Sequence, residues 1–197
     1  MQALLATGNR GKLAELRVLF AGGGLDLVLP EDAGVPLPVV DETGTSFLEN
    51  ALLKARALAA AAGKWALADD SGLEVDALGG APGVRSARYA GPAAADAANV
   101  ARLLEALRGV TDRRARFRCV LALANPDGST LTASGVLEGE IAQAPSGTGG
   151  FGYDSVFRLP DRGCTVAELP FEEKQRISHR ARAAAALLEL LPRISEL

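Results

Sequence analysis

The chain has 197 residues, of which 48% are hydrophobic and 23% charged, with a formal net charge of -3. That balance belongs to a folded globular protein rather than a disordered chain, and its slight acidity leaves no basic field to hold a nucleic acid polymer by its phosphates. No apolar run approaches the roughly 20 residues of a membrane span, and Cys119 and Cys164, with no close spacing and no histidine cluster beside them, read as buried thiols of a reducing, cytoplasmic compartment.

Ala3 to Ala6 is a short apolar run ending at Thr7-Gly8-Asn9, and Leu13, Leu16, Val18, Leu19 and Phe20 after it suggest a helical stripe, so the chain opens as strand, tight turn, helix. Gly22 to Gly24 stops that helix. Leu25 to Leu29 reads as a second strand, followed by a proline-rich loop around Pro36 and Pro38. Thr45 or Ser46 can cap a helix over Phe47 to Ala62, which ends on Gly63. Trp65 to Ala68 is a short buried strand, and its end carries Asp69-Asp70-Ser71-Gly72. Gly79 to Gly91, holding Arg85, Arg88 and Tyr89, reads as an ordered loop, and Ala94 to Arg108 as an alanine-rich helix.

Arg116 to Ala124 and Ser129 to Leu137 flank the turn Asn125-Pro126-Asp127-Gly128 and predict a hairpin. The glycine-dense loop Gly147 to Gly152 precedes Tyr153-Asp154 and a strand over Ser155 to Leu159. The last helix runs from about Ser178 through Ala183 to Leu191. Strands and helices alternate early and a hairpin comes late, which predicts an α/β fold with a mixed sheet rather than a purely parallel one. The length suits a single domain over residues 1–197 folding as one cooperative unit.

Thr7-Gly8-Asn9-Arg10-Gly11-Lys12 lies where a strand enters a helix, so backbone N–H groups and the helix dipole favour an anion there, with Lys12 adding charge. It is no Walker A loop, because Leu13 stands where a magnesium-binding Ser or Thr is required, and it is not GxGxxG. The alternative is that Asn9 only caps the helix and Lys12 is solvated. Neighbouring strand residues face opposite ways, so one of Asp69 and Asp70 can enter a cleft while the other anchors the loop. Magnesium needs only one or two carboxylates beside bound phosphates, and Glu42 is a candidate second ligand. Against this stands a plain turn capped by Asp70 and Ser71. Lys54 has Glu49 about one helical turn and a residue away, which makes a surface ion pair its default role. Lys174, His179 and Arg180 form a basic cluster holding the only histidine. Phe151 and Tyr153, set among glycines, either offer a flat face to a base or serve the core.

Together these segments resemble the family of non-canonical purine nucleoside triphosphate pyrophosphatases, the Ham1-like inosine and xanthosine triphosphatases. The likeness runs in order through TGNRGK, ETGTSFLENALLKA, ADDSGLEVDALGGAPGVRSARYAG, GTGGFGYDSVF and EEKQRISHR, nearly the whole chain. The resemblance implies a two-lobed α/β fold with a long mixed sheet flanked by helices, a nucleotide cleft between the lobes, a homodimer and a magnesium requirement. It implies hydrolysis of ITP, dITP and XTP to the monophosphate and pyrophosphate. By motif, Thr7, Gly8, Asn9, Arg10, Gly11 and Lys12 would hold the triphosphate, Glu42 and Asp70 the metal, and Asp70 would accept a proton. Lys54, Ser71, Phe151, Gly152, Tyr153, Asp154, Lys174, His179 and Arg180 would line the substrate. Ala181 departs from the pattern, where glycine is expected after SHR.

The nearest rival is a Maf-like pyrophosphatase for other modified nucleotides, against which the SHR tail argues. A non-catalytic nucleotide-binding module would use the TGNRGK turn but leave its metal carboxylates dispensable, and a small kinase is disfavoured by the missing Walker A.

Overall fold

A computed structural model describes residues 1–192 and shows a mixed seven-stranded sheet flanked by helices. In chain order the regular elements are β1 (Gln2–Leu5), α1 (Arg10–Phe20), β2 (Asp26–Val28), α2 (Phe47–Ala62), β3 (Ala66–Val75), α3 (Asp96–Ala106), β4 (Arg114–Ala124), β5 (Thr130–Ile141), β6 (Phe157–Leu159), β7 (Cys164–Thr165), α4 (Phe171–Ile177) and α5 (His179–Leu190). The strand order is β2-β1-β3-β4-β5-β6-β7. β1 pairs in parallel with β2 and β3, whereas β5–β6 and β6–β7 are antiparallel, so the expected mixed sheet is present. No helix among the described residues is long and apolar enough to cross a membrane.

The chain divides into two compact units. One comprises Met1–Asp70, Cys119–Gly135 and the stretch from His179 onward, the other Ser71–Arg118 and Val136–Ser178. The single domain expected over residues 1–197 extends into 193–197, which lie outside the described residues.

In the first unit α1 packs against α5, burying Leu16 and Phe20, one turn apart, with Leu187, Leu5, Leu67 and Leu121 in one core. Asn9 caps α1, its side-chain oxygen accepting the Lys12 N–H at 3.1 Å. Val18, expected on the apolar stripe, is instead 52% exposed, because it sits on the side of the helix away from Leu16 and Phe20. α2 begins and ends where the sequence predicts. The Ser46 hydroxyl accepts the Glu49 N–H at 3.2 Å, and Gly63 takes the left-handed conformation (φ 62°) that closes the helix.

The second unit is built around Leu73, Val75, Leu103 and the stacked rings of Phe117 and Phe157, whose centroids lie 4.3 Å apart. Its glycine-rich stretch is ordered, as expected. It forms short 3-10 turns over Asp76–Leu78 and Gly83–Arg88, and Asn99 pins the second by accepting from the Ala90 N–H (2.7 Å) and donating to the Ala87 carbonyl (3.2 Å).

Three further expectations need correction. The strand predicted over Ser155 to Leu159 starts only at Phe157, because Val156 and Phe157 both donate back to the Tyr153 carbonyl at 3.0 Å in a turn. Cys164 is half-buried, although Cys119 is a fully buried thiol as expected; an edge strand of two residues cannot cover it. The third concerns Asp69 and Asp70, which lie inside β3 rather than at its end. Aspartate and glycine are depleted in strands, yet the strand continues because both carboxylates find partners.

Candidate active site

β3 turns Asp69 and Asp70 to opposite sides, as the two-residue repeat of a strand requires, and their partners differ accordingly. Asp70 faces α2. Its Oδ1 accepts from Lys54 Nζ at 2.6 Å, and Lys54 also reaches Glu42 Oε1 at 3.2 Å and the Asp69 carbonyl at 2.8 Å. The surface pair of Lys54 with Glu49 is therefore not formed. Glu49 instead accepts from the Thr45 N–H and hydroxyl at 2.6 and 3.0 Å, since it sits in the first turn of α2 while Lys54 lies further along, beside β3. Burial pushes the Asp70 carboxyl above its usual range, only partly countered by Lys54. Burial acts downward on Lys54, but Asp70, Glu42 and Asp69 outweigh it and hold the ammonium charged. The two shifts are compatible, since Lys54 collects three oxygens while Asp70 gives up water for one ammonium.

Asp69 faces the other way, into a buried ionic network. It pairs with Lys12, accepts from Arg180 Nε at 3.2 Å and from Cys119 Sγ at 3.0 Å, while Arg180 Nη1 donates to Glu15 at 2.8 Å. Burial would raise the Asp69 carboxyl, but Lys12 and Arg180 overcome it and hold the group far below the ordinary carboxylate range. The same burial, with Asp69 beside it, pushes the Cys119 thiol well up. So Lys12 is an ion-pair partner rather than a solvated side chain. Arg180 and His179 are likewise buried, at 4% exposure each, not turned to solvent. The remaining residues of the first turn, Gly8, Asn9 and Arg10, are exposed, and Thr7 accepts the Asn9 N–H at 3.1 Å.

In the second unit, Asp154 Oδ2 accepts from Lys174 Nζ at 2.6 Å and from the Phe151 N–H at 2.9 Å, and the Lys174 ammonium stands 4.8 Å from the Phe151 ring centre. Gly152 donates to Asp96 at 2.7 Å. Tyr153 is a core residue, its hydroxyl donating to the Ser86 carbonyl at 2.8 Å. Ser71 follows Asp70 on β3 and is partly exposed.

Sequence reasoning missed Asn50 and Glu15. Asn50 is fully buried; its Oδ1 accepts the Gly44 N–H at 2.9 Å and its Nδ2 lies 3.5 Å from Asp70 Oδ2. The only signal in sequence was an amide on an otherwise apolar helix stripe, which solvent exposure explains equally well.

Glu42 and Asp70 share one cation, the Lys54 ammonium, so their oxygens reach a common point. Two hard carboxylates suit magnesium, which keeps several waters and takes further oxygens from phosphates. Among the described residues no group of three His, Cys, Asp or Glu side chains is arranged to hold a metal by itself.

The model of the Ham1 family matches residues 3–190. A dITP/XTP pyrophosphatase of Methylococcus capsulatus is 53% identical over 192 residues, covering 95% of this chain and 94% of that protein. One from Shigella flexneri is 51% identical, covering 96% and 98%. Among solved structures, a HAM1 protein from Coxiella burnetii superimposes with a TM-score of 0.88 at 44% identity, covering 98% of each chain.

Proposed function

The chain belongs to the Ham1 family, and on that premise we propose that it hydrolyses the non-canonical purine nucleoside triphosphates dITP, XTP and ITP to the monophosphate and pyrophosphate. The observation that carries this reading is the convergence of Glu42, Asp70 and Lys54 on one point, in a chain half identical to curated dITP/XTP pyrophosphatases.

Water attacks the α-phosphorus, the bond to the β-phosphate oxygen breaks, and pyrophosphate leaves, so negative charge grows on both sides of the reacting atom. Magnesium held by Glu42 and Asp70 would supply Lewis-acid neutralisation of those oxygens. Asp70 orients the water and takes its proton, from its place beside Lys54 and Glu42. Lys54, already fixed beside Asp70, adds positive charge. We assign the triphosphate to Thr7, Gly8, Asn9, Arg10, Gly11 and Lys12, and further substrate contacts to Ser71, Gly152, Asp154, Lys174 and the backbone of Tyr153, whose side chain serves the core. Phe151 would stack on the base. His179, with the backbone at His179 and Arg180, would donate to a purine 6-oxo group. Two N–H groups of the Arg180 side chain already serve Asp69 and Glu15, which favours His179 and the backbone for that role. Adenine would meet those donors with an amino group, and so be rejected.

The two units would act as one catalytic domain, and the active form is assigned as a homodimer, measurable as twice the 20.3 kDa of one chain by light scattering. The free cysteines suit the reducing cytoplasm, where the nucleotide pool lies. Incubation with ITP and magnesium, measuring pyrophosphate and orthophosphate separately, tests the reaction. Pyrophosphate is expected as the initial product; inosine diphosphate with orthophosphate would refute the attack on the α-phosphorus.

A further inference from the structure

We propose that Asn50 is a positioning residue that fixes the spacing between the Glu42 segment and Asp70, and so sets the metal affinity of that carboxylate pair. The inference rests on the metal assignment of Glu42 and Asp70 given above.

Asn50 shows no exposed surface, and a buried amide is stable only where both its ends find partners. Its two ends reach the two elements that carry the carboxylates. Oδ1 takes the Gly44 N–H at 2.9 Å, two residues from Glu42, while Nδ2 approaches Asp70 Oδ2 at 3.5 Å. The second contact is long, as hydrogen bonds around catalytic groups often are before ligands bind.

Lys54 stands one turn further along the same helix face, at i+4, and links the same two elements through Glu42 and Asp70. The two links differ in kind. A divalent cation entering between the carboxylates competes with the Lys54 ammonium for the same oxygens. Asn50 is neutral, and its grip on the Gly44 N–H is untouched by that competition.

The close approach is specific to glycine. A Cβ on Gly44 would stand 2.5 Å from Asn50 Oδ1, 2.7 Å from Glu49 Cβ and 3.0 Å from the Asn50 nitrogen. Two further ties, Thr45 to Glu49 and Glu49 N–H to Ser46, clamp the segment after Glu42 onto the start of α2. The first turns of α2 therefore hold both carboxylates in register, with Asn50 the one member that touches both sides without charge.

The test is calorimetric titration of the nucleotide-free protein with Mn2+, a probe that accepts the same hard oxygen ligands as magnesium. Asn50→Ala and Gly44→Ala should each weaken Mn2+ binding about tenfold, the lower end of what loss of a group supporting metal ligands costs. Asn99→Ala is the control: it removes another buried asparagine that pins a loop, in the unit without Glu42 and Asp70, and should lower Tm while leaving Mn2+ affinity at the wild-type value. If Asn50→Ala does not fold, Gly44→Ala decides, since it leaves the amide in place and displaces only the segment. Wild-type affinity in the folded Asn50 variant, or in Gly44→Ala when that variant decides, would overturn the role of Asn50 alone. Failure of the nucleotide-free wild type to bind Mn2+ would overturn this inference, since the carboxylate pair would then have no metal affinity of its own for Asn50 to set.

Discussion

Asp69 and Asp70 are neighbours in one strand, yet their isosteric replacement by asparagine should have opposite consequences. Asp69→Asn removes the charge that pairs with Lys12 and Arg180 in a buried network, while the Arg180 pair with Glu15 remains. Breaking a buried ion pair from one side costs about 3–5 kcal/mol. For a chain of this length each kcal/mol moves Tm by about 2–4 °C, so a fall of roughly 6–20 °C is expected. Asp70→Asn removes a carboxyl whose ionised form burial already disfavours, so the metal-free protein should keep its Tm or gain slightly. Activity should divide the other way. Asp70→Asn loses the proton acceptor and a metal ligand and should slow turnover at least ~100-fold, whereas Asp69→Asn, assayed below its melting transition, should lose less. Thermal melts in chelator and initial rates on ITP measure both axes. A folded Asp70→Asn protein turning over ITP near the wild-type rate, or an Asp69→Asn protein melting within ~2 °C of wild type, would refute the division of labour; the second figure is about the effect of a single exposed ion pair.

The same two groups fix a pH dependence of stability in chelator. The folded Asp69 lies below its unfolded value, so its contribution is present above about pH 4 and is lost as pH falls further; the Tm gap between wild type and Asp69→Asn should be constant from pH 8 to 5 and shrink below about 4. The folded Asp70 lies above its unfolded value, so its ionisation costs stability, and wild type should gain on Asp70→Asn as pH falls through the raised value. Wild type should favour ITP over ATP in kcat/KM, and His179→Ala should reduce that ratio by roughly tenfold, the effect of one unpaired polar group. Arg180→Ala should lower Tm while largely keeping the ratio; equal efficiency on both nucleotides in wild type would refute the 6-oxo reading. Gly135→Ala would set a Cβ 2.5 Å from the Ala183 nitrogen and against the His179 carbonyl, so it should destabilise by about 1–3 kcal/mol, read from a urea melt; an unchanged midpoint would mean that the start of α5 can shift.

What the sequence discloses is what short-range physics determines. The Asn9 and Ser46 caps, Gly63 and the hairpin turn at Asn125 to Gly128 are each fixed within a few residues, and each appears as expected. The opposite facing of Asp69 and Asp70 also follows from the strand repeat. The choice of partners does not: Lys54 has Glu49 near it in sequence but pairs with Glu42 and Asp70, and Arg180 finds Glu15 across 165 positions. β3 looked shorter than it is because Asp-Asp-Ser-Gly carries no strand propensity; its ion pairs supply what propensity lacks. α4, seven residues after Pro170, and β7, two residues long, are too brief to show a period.

The packing of α1 against α5 also constrains how the chain acquires its structure during synthesis. A ribosome delivers residues from the N-terminus onward at about 5–20 per second, so Leu16 and Phe20 emerge long before Ala183, Ala184 and Leu187, which share a core with them. Until the segment up to Leu190 has left the exit tunnel, α1 lacks the part of its cover that α5 supplies. Closing so wide a span of sequence carries an entropic cost that grows only slowly with length, but the wait itself is set by translation. The first unit is therefore completed only late, when the stretch from His179 joins residues made at the start of synthesis.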